Sequence, residues 1–476
     1  MEINEKSWNR QDRDIIFDNL SDKIRNLNRK IIVLDDDPTG TQTVHDVIIY
    51  TDWQEETITE AFSEDNSIFY ILTNSRALSE DRSREVHKEI AENIMKASEK
   101  TGMQYLVYSR SDSTLRGHYP LEVDVLKEIL TEQYKIDGEV FIPFFGEGAR
   151  ITYQNVHYVQ QKNQYIPVGE TEYAGDKDFA FSASNLREYM KEKSLGKIRE
   201  EQISSISLES IRSKKYNEIM KVLLEMNNED RLIVNALEYI DLAYFSLPFI
   251  DALLTGKNFI IRGAASFAAV LGNRVNGYRL SGEEIVNIRT KAGGLTVVGS
   301  YVGKTTVQLS YVIDHDQDII PICVDPADII GSFDSLEKIR CISDEISNHI
   351  VSGKDVVLYT SRTKLSPDDF KGFSSEELSE EISNMLVSIV TGISCEPRYL
   401  IAKGGITSSD LVTKAMKVRK ARVIGQIEKG IPVWVDMEGE KGESFPMIIF
   451  PGNVGDEDTL FKVITSVKAI RLDKDV

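Results

Sequence analysis

Asp35, Asp36 and Asp37 follow directly on the apolar run Ile31–Leu34 and precede a Pro38-Thr39-Gly40 turn. In an open α/β sheet, ligands bind just beyond the carboxyl ends of the strands. Adjacent carboxylates repel and raise one another's pKa, so folding alone rarely calls for three together. They gain a use when a substrate hydroxyl, a cationic group or Mg²⁺ is the partner. Two more polar runs follow strand-like segments. Thr73-Asn74-Ser75-Arg76 comes after Ile68–Leu72, and its guanidinium fork suits a carboxylate. Ser109-Arg110-Ser111-Asp112 begins a run through Gly117 that comes after Tyr105–Tyr108. Arg for a carboxyl group, with Asp and Ser for hydroxyls, matches a polyhydroxylated acid. Phosphate binding uses the same groups, so the mixture defines the ligand only loosely.

The second half carries glycine turns after strand-like segments. Gly299-Ser300-Tyr301-Val302-Gly303-Lys304-Thr305 contains G-K-T, but only three residues separate its glycines. A phosphate-wrapping P-loop has four. The turn therefore offers Ser300 and backbone donors, with Lys304 either a phosphate contact or a residue of the exposed helix face. Lys403-Gly404-Gly405-Ile406-Thr407 follows Tyr399–Ala402, and paired glycines allow close backbone approach. Thr407 to Asp410 are expected to cap a helix running through Leu411 and Ala415, where unpaired N–H groups favour an anion. Pro451-Gly452-Asn453-Val454-Gly455 repeats the design after Met447–Phe450. No G-x-G-x-x-G follows a strand, which argues against a dinucleotide site.

These loops need strands to carry them and helices to cover the strands. Val86, Ile90 and Ile94 recur at helical spacing within Asp81–Ser98, between two strand-like runs. Similar alternation continues to Phe259–Arg262, with a weaker, aromatic and polar stretch over about residues 154–187. It restarts at Leu295–Val298 and proceeds through Ile319–Val324, Asp355–Leu358, Tyr399–Ala402 and Met447–Phe450. The expected fold class is α/β: two mostly parallel α/β domains with an active-site cleft between them. The turn-rich region between about 275 and 293 places the boundary, giving domains 1–285, with an N-terminal helical extension, and 286–476.

The chain has 476 residues and a formal charge of −20, which disfavours nonspecific nucleic-acid binding. It lacks a run of about 18 apolar residues, so no membrane span is expected. The polar start, without an apolar signal core, and three scattered cysteines indicate a cytoplasmic protein with reduced thiols. No zinc spacing occurs among the six histidines and three cysteines, and His45 is left outside the catalytic set.

Taken together, Asp36-Asp37-Pro38-Thr39-Gly40, Asn74-Ser75-Arg76, Asp112-Ser113-Thr114, Gly299-Ser300, Gly404-Gly405-Ile406-Thr407 and Pro451-Gly452-Asn453-Val454-Gly455 resemble the four-carbon acid sugar kinase family. The resemblance runs from about Ile31 to Ile470. It implies an N-terminal domain for a sugar acid and a C-terminal domain for ATP, with Mg²⁺ accompanying the nucleotide and metal ligands unassigned. Substrate contacts would fall on Asp36, Asp37, Arg76, Ser109, Arg110, Ser111 and Asp112. Nucleotide contacts would fall on Ser300, Gly404, Gly405, Ile406, Thr407 and Gly452. The implied reaction is phosphoryl transfer from ATP to a hydroxyl of a tetronate or 3-oxo-tetronate, with Asp36, or else Asp37, accepting the hydroxyl proton. The triple-Asp loop, His45 and Leu115-Arg116-Gly117 depart from commoner members and leave the exact acid open. A phosphosugar phosphatase and a noncatalytic sugar-acid-binding protein are the competing readings. A small sugar acid is the expected partner, and a homo-oligomer is left open.

Overall fold

The computed structural model describes residues 7–162, 164–275, 279–285, 290–362, 373, 375–438 and 446–468. The chain forms two compact units, Met1–Asn276 and Gly277–Val476. The expected boundary at 285/286 adjoins residues 286–289, which lie outside the described residues, as does Ile470.

In the first unit the strands are β1 (Arg29–Asp35), β2 (Val47–Tyr50), β3 (Ile68–Leu72), β4 (Gln104–Arg110), β5 (Glu139–Ile142), β6 (Arg150–Tyr153), β7 (Val156–Gln161), β8 (Gln164–Pro167), β9 (Ile203–Ile206), β10 (Arg231–Val234) and β11 (Ile260–Gly263). Eight lie side by side in the order β2-β3-β1-β4-β11-β5-β10-β9, all parallel. β1 is buried along its whole length, as an apolar run covered on both faces should be. The chain leaves β1 toward β2 and β3 on one side and later crosses to β4 on the other. Asp35–Asp37 thus sit at the point where strand order reverses. The helix Glu80–Thr101 that links β3 to β4 starts at Ser79, whose side chain accepts from the Arg82 amide. It ends at left-handed Gly102. Its buried face includes Val86, Ile90 and Ile94.

The weak stretch after Gln154 is more ordered than its pattern indicated. β6, β7 and β8 form an antiparallel meander outside the main sheet.

In the second unit the strands are β12 (Leu295–Val298), β13 (Ile320–Val324), β14 (Val356–Thr360), β15 (Leu400–Lys403), β16 (Lys420–Glu428), β17 (Ile431–Asp436) and β18 (Pro446–Phe450). Their order is β13-β14-β12-β15-β18-β17-β16. The first five are parallel, β17 adds antiparallel to β18, and β16 adds antiparallel to β17. A separate core built on Val298, Leu309, Ile401, Phe450 and Leu460 fills this unit. Among the described residues no helix is long and apolar enough to cross a membrane.

Candidate active site

The first unit gathers its strand-end loops into a lattice of carboxylates and guanidinium groups. β1 delivers Asp35 and then Asp36, both almost fully buried. Asp37 caps the short 3₁₀ turn Pro38–Thr43, its Oδ1 accepting from the Thr39 amide at 2.7 Å and the Thr39 hydroxyl at 2.5 Å. After β3, Asn74 takes a left-handed conformation that a short polar side chain tolerates. The chain then doubles back, and the Arg76 amide donates to the Asp36 carbonyl at 3.2 Å.

That turn aims Arg76 at two aspartates. Its Nε and Nη2 donate to Asp36 Oδ2 and Oδ1 at 3.1 and 2.6 Å, and Nη1 donates to Asp37 Oδ2 at 3.2 Å. Arg110, at the end of β4, donates through Nη1 to Asp35 at 2.9 Å and Asp36 at 3.2 Å. The Ser111 hydroxyl donates to Asp36 Oδ2 at 2.9 Å. Each Asp36 oxygen therefore accepts two hydrogen bonds, which fills the capacity of a carboxylate. Asp37 Oδ2 accepts one long bond, and its side chain is 19% exposed.

A second layer holds the first. Arg262, at the end of β11, donates to Ser109 at 2.7 Å, to Ser111 at 2.8 Å and to Glu122. Glu122 also accepts from Ser75 at 2.6 Å. Asp112 accepts from Arg116 at 2.7 Å and from Thr114. Gly117 has φ +125°, and a Cβ there would lie 2.6 Å from Ser111 Oγ and 3.1 Å from Arg262 Nη2. Only glycine lets this loop close over the network.

The structure thus brings Asp36, Asp37, Arg76, Arg110, Ser111 and Asp112 together. Ser109 joins through Arg262 rather than by facing open space. The sequence reading left out Arg262 and Glu122, and included Arg116 in the run after β4 without giving it a site role. Arg262 stands at the end of an anticipated strand, and Arg116 lies four residues after Asp112. Those positions were the available signals. Glu122 sits inside the helix Leu121–Leu130 and gave none.

Proton affinities follow the packing. Burial pushes Asp35 up to about 7; Arg110 pulls it down, while Asp36 and Asp37 add to the rise. Burial also acts upward on Asp37, but Arg76, Arg110 and the Thr39 bonds outweigh it and bring the group below its usual range. Glu122 is held at about 2, because Arg262, His87 and hydrogen bonds overcome its burial.

The Asp35 shift has a stability consequence. Folded Asp35 binds its proton more tightly than the unfolded side chain, so its contribution is complete below the ordinary 3.8 and lost as pH rises through about 7. Asp35→Asn should flatten that part of the decline in melting temperature between about pH 4 and 7. Thermal melts across this range check it, and an unchanged slope would clear Asp35 as the source.

In the second unit, three loops meet at Ser300. Its hydroxyl accepts from the Val302 amide at 3.3 Å and lies 3.4 Å from the Thr305 hydroxyl. Thr305 donates to the Gly452 carbonyl at 2.9 Å. A Cβ on Gly452 would stand 2.9 Å from Ser300 Oγ, and one on Gly404 would stand 3.1 Å from Ser300 Cβ. Thr407 Oγ1 lies 3.2 Å from the same Gly404 position. Ser300, Gly404, Thr407 and Gly452 converge; Gly405 opens the following helix, and the Ile406 side chain is 51% exposed.

The expected cap at Thr407–Asp410 is corrected. With φ +127°, Gly404 turns the chain at once, so the helix starts at Gly405 and runs to Asp410 before a π-helical turn, Leu411–Ala415. Thr407 and Ser408 are inside it, and Asp410 pairs with Ser383 and Lys414.

A family model for a sugar-binding N-terminal domain matches residues 31–271, and one for a nucleotide-binding C-terminal domain matches residues 295–460. No curated protein matches the chain. A solved Salmonella typhimurium LT2 structure, provisionally named a tRNA synthase, is 16% identical with a TM-score of 0.64, covering 93% of this chain and 99% of that one. A Haemophilus influenzae structure is also 16% identical, with a TM-score of 0.60 and coverages of 91% and 99%. At such identity the two structures show a shared fold. Among the described residues no three His, Cys, Asp or Glu side chains are grouped to hold a metal.

Proposed function

The chain belongs to the four-carbon acid sugar kinase family, and from that premise we propose that it transfers the γ-phosphoryl group of ATP to a hydroxyl of a small sugar acid such as a tetronate or 3-oxo-tetronate. The observation that carries the reading is the lattice around Asp36. Arg76 and Arg110 stand there beside serine and carboxylate groups at the switch point of a parallel sheet. Guanidinium groups recognise a carboxylate, and the acidic and hydroxyl groups recognise sugar hydroxyls.

Arg76, whose side chain is 18% exposed, is the proposed anchor for the acid's carboxylate. It also occupies two of the four acceptor positions on Asp36. An incoming carboxylate competes for the same guanidinium and so releases Asp36 to accept a hydroxyl proton; Asp37, with its open Oδ2, is the alternative acceptor. In phosphoryl transfer the protein mainly aligns the reactants and offsets charge. In the second unit Ser300, Gly404–Thr407 and Gly452 are the proposed nucleotide contacts. The absence of a side chain at Gly404 and Gly452 lets these two loops close on Ser300. Mg²⁺ commonly keeps waters and binds substrate phosphates with few protein carboxylates, so it fits as a companion of the nucleotide. Bound there, it would supply charge neutralisation on the phosphates.

The test is a panel of four-carbon hydroxy acids and oxo-acids assayed for acid-dependent ADP formation. One acid should raise ADP release far above background. Arg76→Ala should then raise KM for that acid roughly 10- to 100-fold, as expected for losing a charge-assisted bidentate contact. Unchanged KM would reject the anchor, and acid-independent ADP release across the panel would reject the kinase reading.

A further inference from the structure

The nucleotide reading leaves one buried group in the second unit unused. Lys403, the last residue of β15, is fully buried, and its Nζ donates to the Pro451 carbonyl at 3.2 Å. It lies 3.8 Å over the Phe450 ring, and no carboxylate pairs with it among the described residues. A lysine ammonium has three donors, and among the described residues the Pro451 carbonyl is its one hydrogen-bond acceptor. Pro451 precedes Gly452, whose Cα faces the Ser300 hydroxyl. The ammonium therefore lies against the backbone of the loop that borders the proposed phosphate contacts.

Two more cations share this region. Exposed Lys304 stands in the first turn of the helix Gly303–His315 and is close enough to act on Lys403. Arg362 donates to the Ser300 carbonyl at 2.7 Å and to Thr306 at 2.8 Å, while its buried Nη1 has no partner among the described residues. Its guanidinium lies 5.1 Å from the Tyr301 ring centre. Lys304, Arg362 and Lys403 thus surround one turn in a chain of net charge −20. Like charges drawn together without an acid are costly unless an anion completes the set. Burial, then Lys304, lowers Lys403 to about 7, in keeping with a cation that lacks its counter-charge.

We infer that Lys403, with Arg362 at the rim, is the phosphate-binding cation of this unit and supplies from beneath the glycine turns the charge that a P-loop lysine supplies from within its loop. This rests on the proposed nucleotide role of the unit. It assigns the phosphate contact to the residue before Gly404, whereas Lys304 had been the candidate in the G-K-T run.

Lys403→Met removes the charge and keeps the apolar stem. Exchanging an unpaired buried cation for an apolar residue of similar length should leave the melting temperature unchanged or higher. In calorimetric titrations of the full chain, the variant should bind ATP and inorganic tripolyphosphate roughly 10- to 100-fold more weakly, with adenosine binding unchanged. Arg362→Gln, at the partly exposed rim, should weaken ATP and tripolyphosphate in the same selective way and gives the reading should the first variant misfold. Equal losses for ATP and adenosine would assign these residues a structural role and overturn the inference. Wild-type ATP affinity in both variants would overturn it while leaving the nucleotide site in place. A wild-type chain that binds neither ATP nor adenosine would overturn both.

Discussion

An Asp36→Asn chain should lose about 10²- to 10⁴-fold in turnover, the range for removing a positioned general base. Its affinity for ATP should stay within about twofold, because the proposed nucleotide contacts belong to the other unit. The amide keeps the side chain's shape but cannot accept a proton as a carboxylate does. It also turns one end toward Arg76 or Ser111 as a donor, where the native group accepts from Arg76, Arg110 and Ser111. Steady-state kinetics with a binding titration separate the effects. Near-normal turnover would remove Asp36 from the reaction and direct attention to Asp37, whose Oδ2 is the less occupied oxygen.

Arg262→Met should have the largest effect on stability. Arg262 is 3% exposed, and its guanidinium connects Glu122, Ser109 and Ser111. Its removal leaves a buried carboxylate whose low proton affinity depends on that partner. Breaking such a pair from one side costs about 3–5 kcal/mol, a fall of roughly 6–20 °C in melting temperature for a domain of this size. Pairing the change with Glu122→Gln should recover much of the loss, since no unpaired charge then remains. Thermal melts of the single and double variants decide it. A single variant as stable as wild type, or a double variant no better than the single, would contradict this account of the second layer.

These two residues mark how far the sequence could be read. Asp36 follows an apolar run that is wholly buried in β1, so strand, loop and site were visible together. Arg76 and the Ser109–Asp112 run were legible for the same reason: each ends a parallel strand. Arg262 and Glu122 act across about 140 residues of sequence, and a pattern confined to short windows has no access to such a pairing. The grouping of Ser300, Gly404 and Gly452 was implied by the family resemblance, but the start of the helix after Gly404 depended on a single φ angle.

The same physics sorts the fold. Helices with one apolar stripe, such as Glu80–Thr101, announced themselves. Tyr239–Leu254 is buried around nearly its entire circumference and has little periodicity to read. The β16–β17 hairpin carries a readable signal: branched and aromatic residues flank Lys429-Gly430, where Gly430 has φ +78°. In β6–β8 burial alternates along part of β7 and not along β6 or β8, so composition there resembled a polar excursion.

A sugar-acid kinase leaves the γ-phosphoryl group of ATP on the acid, and isotopic labelling follows that group. With ATP labelled in its γ-phosphoryl oxygens and the acid that best stimulates ADP release, mass spectrometry should find the label on the acid in a one-to-one ratio with ADP. Label appearing in inorganic phosphate alone, with the acid bound but unmodified, would contradict the assignment of this chain as a sugar-acid kinase.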